Sequence, residues 1–148
     1  MPIFATTEEL YDLLGQFFEE LRYVEQAYLI HQVGGSIEFV FERPEGRIRW
    51  VPEADSRISP PFHVVYGLQA DPPLLTFTQD GDTAHRFWLG LVDLQQALAR
   101  QQVRAKGPLS RAMKLIPHLD TIYPLYRAFL ERRGRADLVA AAESRRSS

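Results

Sequence analysis

Residues 87–126 read FWLGLVDLQQALARQQVRAKGPLSRAMKLIPHLDTIYPLY. Glycines and prolines punctuate this stretch into a chain of short elements. One helix ends at Gly90, and a second covers about 92–99, with Leu91, Leu94 and Leu98 on one face and Ala97 beside them. Residues 102–106 are short enough for a strand, Gly107-Pro108 breaks the chain, and 109–116 predicts another short helix. A last helix starts near Asp120, its apolar stripe being Ile122, Tyr126, Phe129 and Leu130. Pro124 is tolerated in the first turn, where little hydrogen bonding is lost. Apolar and aromatic residues run through every one of these elements, and groups suited to catalysis are almost absent. Such an assembly suits the walls of a container for a hydrophobic ligand.

Upstream, Asp80-Gly81-Asp82 opens the helix that carries His85, Phe87, Trp88 and Leu89, and both aspartates read as capping and dipole-complementing residues. Residues 74–78 and 63–69 predict two strands, with Asp71-Pro72-Pro73 as the turn between them. The segment 52–61 is polar and proline-bearing, hence a loop. Before it, Ile37, Phe39 and Phe41 alternate with Glu38, Val40 and Glu42, and Ile48 and Trp50 alternate with Arg47, Arg49 and Val51. Period-two alternation on both sides of Arg43-Pro44-Glu45-Gly46 predicts a β-hairpin. At the start of the chain, Thr6 and Glu9 have capping-box spacing, and Leu10, Leu13, Leu14, Phe17, Phe18, Leu21 and Val24 recur at helical period. Gly15 inside that helix costs about 1 kcal/mol relative to Ala and marks a close backbone approach. A second short helix over 25–32 ends at Gly34-Gly35. Five strands and several helices make the chain α+β.

Its 148 residues form one domain by length, large enough to bury a core without disulfides. Residues 1–134 are read as that domain, and 135–148 as a short basic tail in which 136–142 adds a turn or two and 145–148 is disordered. The chain has no cysteine, so it holds no disulfide, thiol nucleophile or thiolate metal site. The first residues lack the pattern of a secretory signal and no apolar run approaches a membrane span, so a cytoplasmic location is expected. Charge is uneven: residues 1–83 hold 5 basic and 14 acidic side chains, residues 84–148 hold 12 basic and 5 acidic. Either the halves neutralise each other on folding, or the basic half forms a cationic rim suited to phosphate-bearing lipids and transient contact with an anionic membrane surface. Nucleic-acid binding fits poorly, because the basic residues are scattered and the pI is about 6.1.

The four histidines, His31, His63, His85 and His118, fall on four different elements at no ligand spacing, so no metal site is expected and each reads as a surface or singly hydrogen-bonded residue. Ser110 and Lys114 are four apart, not the three of a Ser-x-x-Lys pair. There is no phosphate loop, nucleophile elbow or dinucleotide fingerprint, and no cofactor is implied. What remains is a surplus of large apolar side chains: nine Phe, two Trp and six Tyr. A solid core and a ligand cavity are lined alike, and periodicity does not separate them.

The ordered set Leu75-Thr76-Phe77-Thr78, Leu89-Gly90, Asp93, Ala97, Val103, Gly107, Ala112 and Lys114-Leu115 resembles the sterol carrier protein family of nonspecific lipid-transfer domains. The resemblance runs from about Leu10 to about Phe129 and is specific mainly in the second half. It departs from the family where Gly107-Pro108 replaces the usual Gly-Asp and in the proline-rich loop 52–61. It implies an α+β domain with a five-stranded sheet covered on one face by helices. An apolar tunnel between the layers would take a fatty acid, acyl-CoA, sterol or phospholipid without catalysis. The residues expected to line it are Phe17 and Leu21 of the first helix, Phe39, Phe41 and Phe77 of the sheet, Phe87, Leu91, Leu94 and Leu98 of the middle helices, and Leu115 and Phe129 of the late ones. Two alternatives stay open: a solid-cored interaction module that pairs with itself or an enzyme, and an enzyme for acyl or steroid substrates with His85 or Tyr126 as general acid.

Overall fold

The computed structural model describes residues 2–146. Thr6 caps the first helix, its hydroxyl accepting from the Glu9 N–H at 3.1 Å. Helix α1 (Thr7–Leu10) continues through a π-turn, Tyr11–Gly15, into α2 (Gln16–Leu21). At Gly15 a Cβ would lie 2.7 Å from the Tyr66 ring, so the close approach expected there is real. A 3₁₀ turn, Glu25–Leu29, leads into α3 (Ile30–Val33), which Gly34 ends in the left-handed conformation at φ 86°.

Strands β1 (Ile37–Glu42) and β2 (Glu45–Pro52) form the expected hairpin, with Phe39 opposite Ile48 and Ile37 opposite Trp50. Strands β3 (Phe62–Tyr66), β4 (Leu75–Gln79) and β5 (Val103–Lys106) complete a sheet of order β3-β2-β1-β4-β5. All neighbours are antiparallel except β1 and β4. The segment around Asp71-Pro72-Pro73 is therefore no hairpin turn. It carries the chain from one edge of the sheet across β2 and β1 to β4, because a parallel pair needs a crossover. Asp71 accepts from Arg49 Nη2 at 3.0 Å on the face opposite the helices, and Arg49 and Glu38 are buried there as an ion pair.

The other face presents Ile37, Phe39, Phe41, Ile48, Trp50, Leu75 and Phe77 to the helical layer. That layer consists of α1–α3, α4 (Gly81–Trp88), α5 (Leu94–Ala99), α6 (Leu109–Ala112), a long 3₁₀ segment Met113–Thr121, α7 (Tyr123–Arg132) and α8 (Ala136–Arg146). The five-stranded α+β arrangement with helices on one face is as expected. The tail is not: Leu138, Val139 and Ala142 of α8 are buried, so 136–146 belongs to the fold. Of the segment read as disordered, Arg145 and Arg146 continue α8, while Ser147 and Ser148 lie outside the described residues.

The two charge halves do neutralise each other in part. Arg132 reaches Glu20 and Arg133 reaches Asp12, both at 2.9 Å, and Arg104 pairs with Glu42. The aspartates at the start of α4 do something other than cap by hydrogen bonding. Asp80 occupies the cap position but its carboxylate holds Arg43, at 2.7 and 3.3 Å, and Asp82 accepts from the Ile3 N–H at 2.8 Å. Their charge still sits at the favourable end of the helix.

Candidate functional site

Beneath the 3₁₀ segment Met113–Thr121 the helical layer does not fill the space above the sheet. Strict alternation brings Ile37, Phe39, Trp50 and Phe77 up as a floor, and Trp88 and Phe87 of α4 form one wall. Leu21, Ala27 and Ile30 close a second side, and Leu94, Ala112, Leu115 and Leu119 the rest. The cavity, partly open to solvent, measures about 120 Å³, near the ~150 Å³ that admits one benzene ring in an engineered apolar cavity. Gln26, Leu29, Ile116 and His118 also line it, and of these only His118 is exposed. None of the residues Met113–Thr121 is buried, so this cover is the layer least held by apolar contact.

Six of the expected lining residues are brought together here: Leu21, Phe39, Phe77, Phe87, Leu94 and Leu115. Five are not. Phe17 and Phe129 turn into a ring cluster around Tyr126, with centroids 4.7 Å apart for Phe17 and Tyr126 and 5.8 Å for Phe17 and Phe129. Phe41 lies at the hairpin-turn end of β1, opposite Gly46, where Leu10 and Tyr11 close over the strand pair. Leu91 and Leu98 pack half-buried against the core outside the cavity. The expectation missed Trp50, Trp88, Phe62, Ile37 and Gln79. Trp50 and Ile37 were signalled by the same alternation that placed Phe39. Gln79 follows Leu75 and Phe77 at period two, so its polar side chain is the one exception on an inward-facing row.

The polar groups of the site are few. Gln26, Gln79 and His118 line it, and among the described residues no Lys, Arg, Asp or Glu does. His85 and Tyr126, the residues considered as an acid, do not line it. They bond each other at 2.7 Å, and His85 Nε2 lies 2.9 Å from the Leu138 carbonyl oxygen. A carbonyl only accepts, so the singly protonated ring carries its proton on Nε2 and Nδ1 accepts from the Tyr126 hydroxyl. His85 is thus fully buried with two partners, not a surface residue. Burial drives the Tyr126 phenol far above its usual range, which keeps it the donor. The pair ties α4, α7 and α8 together. Among the described residues no three His, Cys, Asp or Glu side chains gather as a metal site requires, and no helix is long and apolar enough to cross a membrane.

No protein-family model and no curated protein matches the chain. Solved structures do. The sterol carrier protein domain 2 of Helicoverpa armigera superposes with a TM-score of 0.50 at 22% identity, over 72% of this chain and 87% of that one. The fold is that of a sterol carrier protein domain. A stereoselective inverting sec-alkylsulfatase from Pseudomonas sp. contains a similar unit: TM-score 0.50 and 13% identity over 62% of this chain. That match takes in only 13% of the sulfatase, so this chain corresponds to a small part of its length. Apo sterol carrier protein 2 from Yarrowia lipolytica aligns over 84% of this chain and 91% of its own, at 13% identity and a TM-score of 0.49. In this chain the cavity lies between the sheet and its one-sided helical layer.

Proposed function

We propose that this protein binds a lipid-class ligand (fatty acid, acyl-CoA, sterol or phospholipid) in the cavity under Met113–Thr121 and carries or sequesters it without catalysis. The observation that carries the reading is the cavity itself, lined mainly by apolar side chains and lying under a segment with no buried residue. Burial of apolar surface supplies the binding energy at about 25 cal/mol per Å². A cavity of about 120 Å³ is smaller than the ~300–1,000 Å³ of drug-sized sites. A long chain therefore enters by displacing the 113–121 cover or by extending through the mouth. Exposed Arg111 and Lys114 flank the lining residues Ala112 and Leu115 and would meet an anionic membrane surface during loading.

A second reading has one observation in its favour: a unit of this fold is part of a sulfatase chain. On that reading the protein is a non-catalytic interaction module that pairs with itself or with an enzyme. Organic extraction and mass analysis of the purified protein separate the two, since a carrier travels with lipid. Thermal unfolding gives the quantitative test. A long-chain lipid at 100 times its Kd adds about 2.7 kcal/mol, which raises Tm by roughly 5–10 °C in a domain of this size. A flat Tm across acyl chains and sterols, with no co-purified lipid, would sink the carrier reading.

A further inference from the structure

Two polar groups are built into the apolar lining with nothing to bond. Gln79 is 7% exposed and Trp50 is 8% exposed, and neither Gln79 Nε2 nor Trp50 Nε1 has a hydrogen-bond partner. Both residues line the cavity. They stand well apart: Trp50 is opposite Ile37 on β1, while Gln79 is level with Phe41. Four residues along β1 at ~3.3 Å each separate the two levels by about 13 Å. One small polar head cannot serve both.

The two donors differ in what they can take. The Trp50 ring is wedged among Phe18, Phe39, Phe62 and Trp88, with centroid distances of 4.9 to 5.9 Å, and its N–H only donates. The Gln79 carboxamide ends three rotatable bonds and both donates and accepts, which matches a hydroxyl on both sides. A buried donor left unpaired is costly, so a ligand that brings an acceptor to it gains that cost back. An ionised head finds no such reception, because among the described residues no Lys or Arg lines the cavity, the lining His118 is itself exposed, and an unpaired buried carboxylate is far more expensive than a neutral oxygen.

We infer that Gln79 is the polar anchor of the cavity and that it selects an uncharged oxygen-bearing amphiphile, a fatty alcohol or the hydroxyl of a sterol-like molecule, over the ionised fatty acid of the same length. This rests on the lipid-binding reading and sharpens it to a ligand class.

The test uses three probes much shorter than a lipid chain: 1-octanol, octanoate at mildly alkaline pH, and octane, each displacing a neutral environment-sensitive dye. The parent should bind 1-octanol about tenfold more tightly than octanoate or octane. Gln79→Leu should lose about tenfold in 1-octanol affinity while octane affinity holds or rises, and Gln79→Met should repeat the pattern if the leucine form packs poorly. Equal binding of 1-octanol and octane by the parent, or unchanged alcohol affinity in both variants, overturns the inference and leaves lipid binding standing. Loss of alcohol affinity in Trp50→Phe but not in Gln79→Leu overturns the assignment to Gln79. Dye that binds the parent but is displaced by none of the three probes, together with no co-purified lipid, removes the lipid reading and this inference with it.

Discussion

Where Phe17, Tyr126 and Phe129 meet, the helical layer packs ring on ring, whereas over Phe39, Trp50 and Phe77 on the same sheet face it leaves a cavity. The apolar composition of the two regions is similar. What differs is the covering backbone. The first region is covered by α2, α7 and α8, regular helices that bury whole side chains such as Phe17, Leu130 and Ala142. The second lies under Met113–Thr121, a 3₁₀ segment holding Pro117, whose Leu115, Ile116 and Leu119 are only half-buried. A 3₁₀ run has a narrower, less regular apolar face than an α-helix and forms poorer hydrogen bonds. The cavity in this chain thus comes from the quality of the cover, not from a change in the lining.

The sharpest way to break this contrast is to truncate one side chain in each region. Phe17→Ala should cost about 3–5 kcal/mol, the usual range for an aromatic removed from a close-packed core. Leu115→Ala, half-buried beside existing empty space, should cost about 1 kcal/mol. Denaturant unfolding of both variants measures the difference, and equal losses would show that the two regions are packed alike.

Tyr126→Phe probes the polar tie inside the solid region. It removes the hydroxyl that bonds His85 Nδ1 and leaves that nitrogen without this partner, at a cost of about 1–3 kcal/mol. Near-native stability would mean that this bond is not what fastens α7 to α4. The cavity region should respond the opposite way to added bulk. Leu94→Trp should occupy ligand space, lowering lipid affinity at least tenfold while stability changes by less than about 1 kcal/mol. In a solid core the same change is overpacking and costs about 1–3 kcal/mol. Binding and unfolding measured on one preparation decide between these.

Much of this architecture was legible from residue order. The alternation in 37–51 located the hairpin and its inward face, and Thr6 and Gly34 marked helix ends where the chain uses them. The crossover at 67–74 was not legible, because a proline-bearing turn between two strands looks the same whether the strands pair or are separated by two others. Helix α8 was read only as a turn or two over 136–142 because that Ala-rich stretch has little amphipathic pattern, and its place in the fold comes from the packing of Leu138, Val139 and Ala142 against the core. The site was half legible for a related reason. Periodicity reports which face a residue is on, so it placed Phe39 and Phe77 correctly. It says nothing of what lies above that face, and Phe17, Phe41 and Phe129 proved to be under tight cover. Gln79 was the overlooked residue: a polar side chain in register with Leu75 and Phe77 interrupts an inward-facing apolar row.

The smallest expected effect concerns Tyr66, at the packed edge where β3 meets Gly15. Its hydroxyl is buried without a hydrogen-bond partner, and its ring lies 5.0 Å from that of Tyr11. Burial, with the charge of Glu19 adding to it, pushes the phenol from 10.0 up to about 12. A raised folded pKa fixes the sign. Below pH 10 both folded and unfolded chains keep the proton and the stabilising contribution is complete. Between pH 10 and 12 the unfolded chain ionises first, so stability falls as pH rises through that window. Tyr66→Phe deletes this contribution, and the decline of the urea midpoint across the same window should become shallower. It should not vanish, because the burial that raises the Tyr123 and Tyr126 phenols acts in the same direction. Near neutral pH the variant should be as stable as the parent or slightly more so, since an unpaired buried hydroxyl is removed. Parallel pH profiles for parent and variant would show that Tyr66 ionises as freely in the fold as out of it, and that the sheet edge over Gly15 is looser than the solid region it borders.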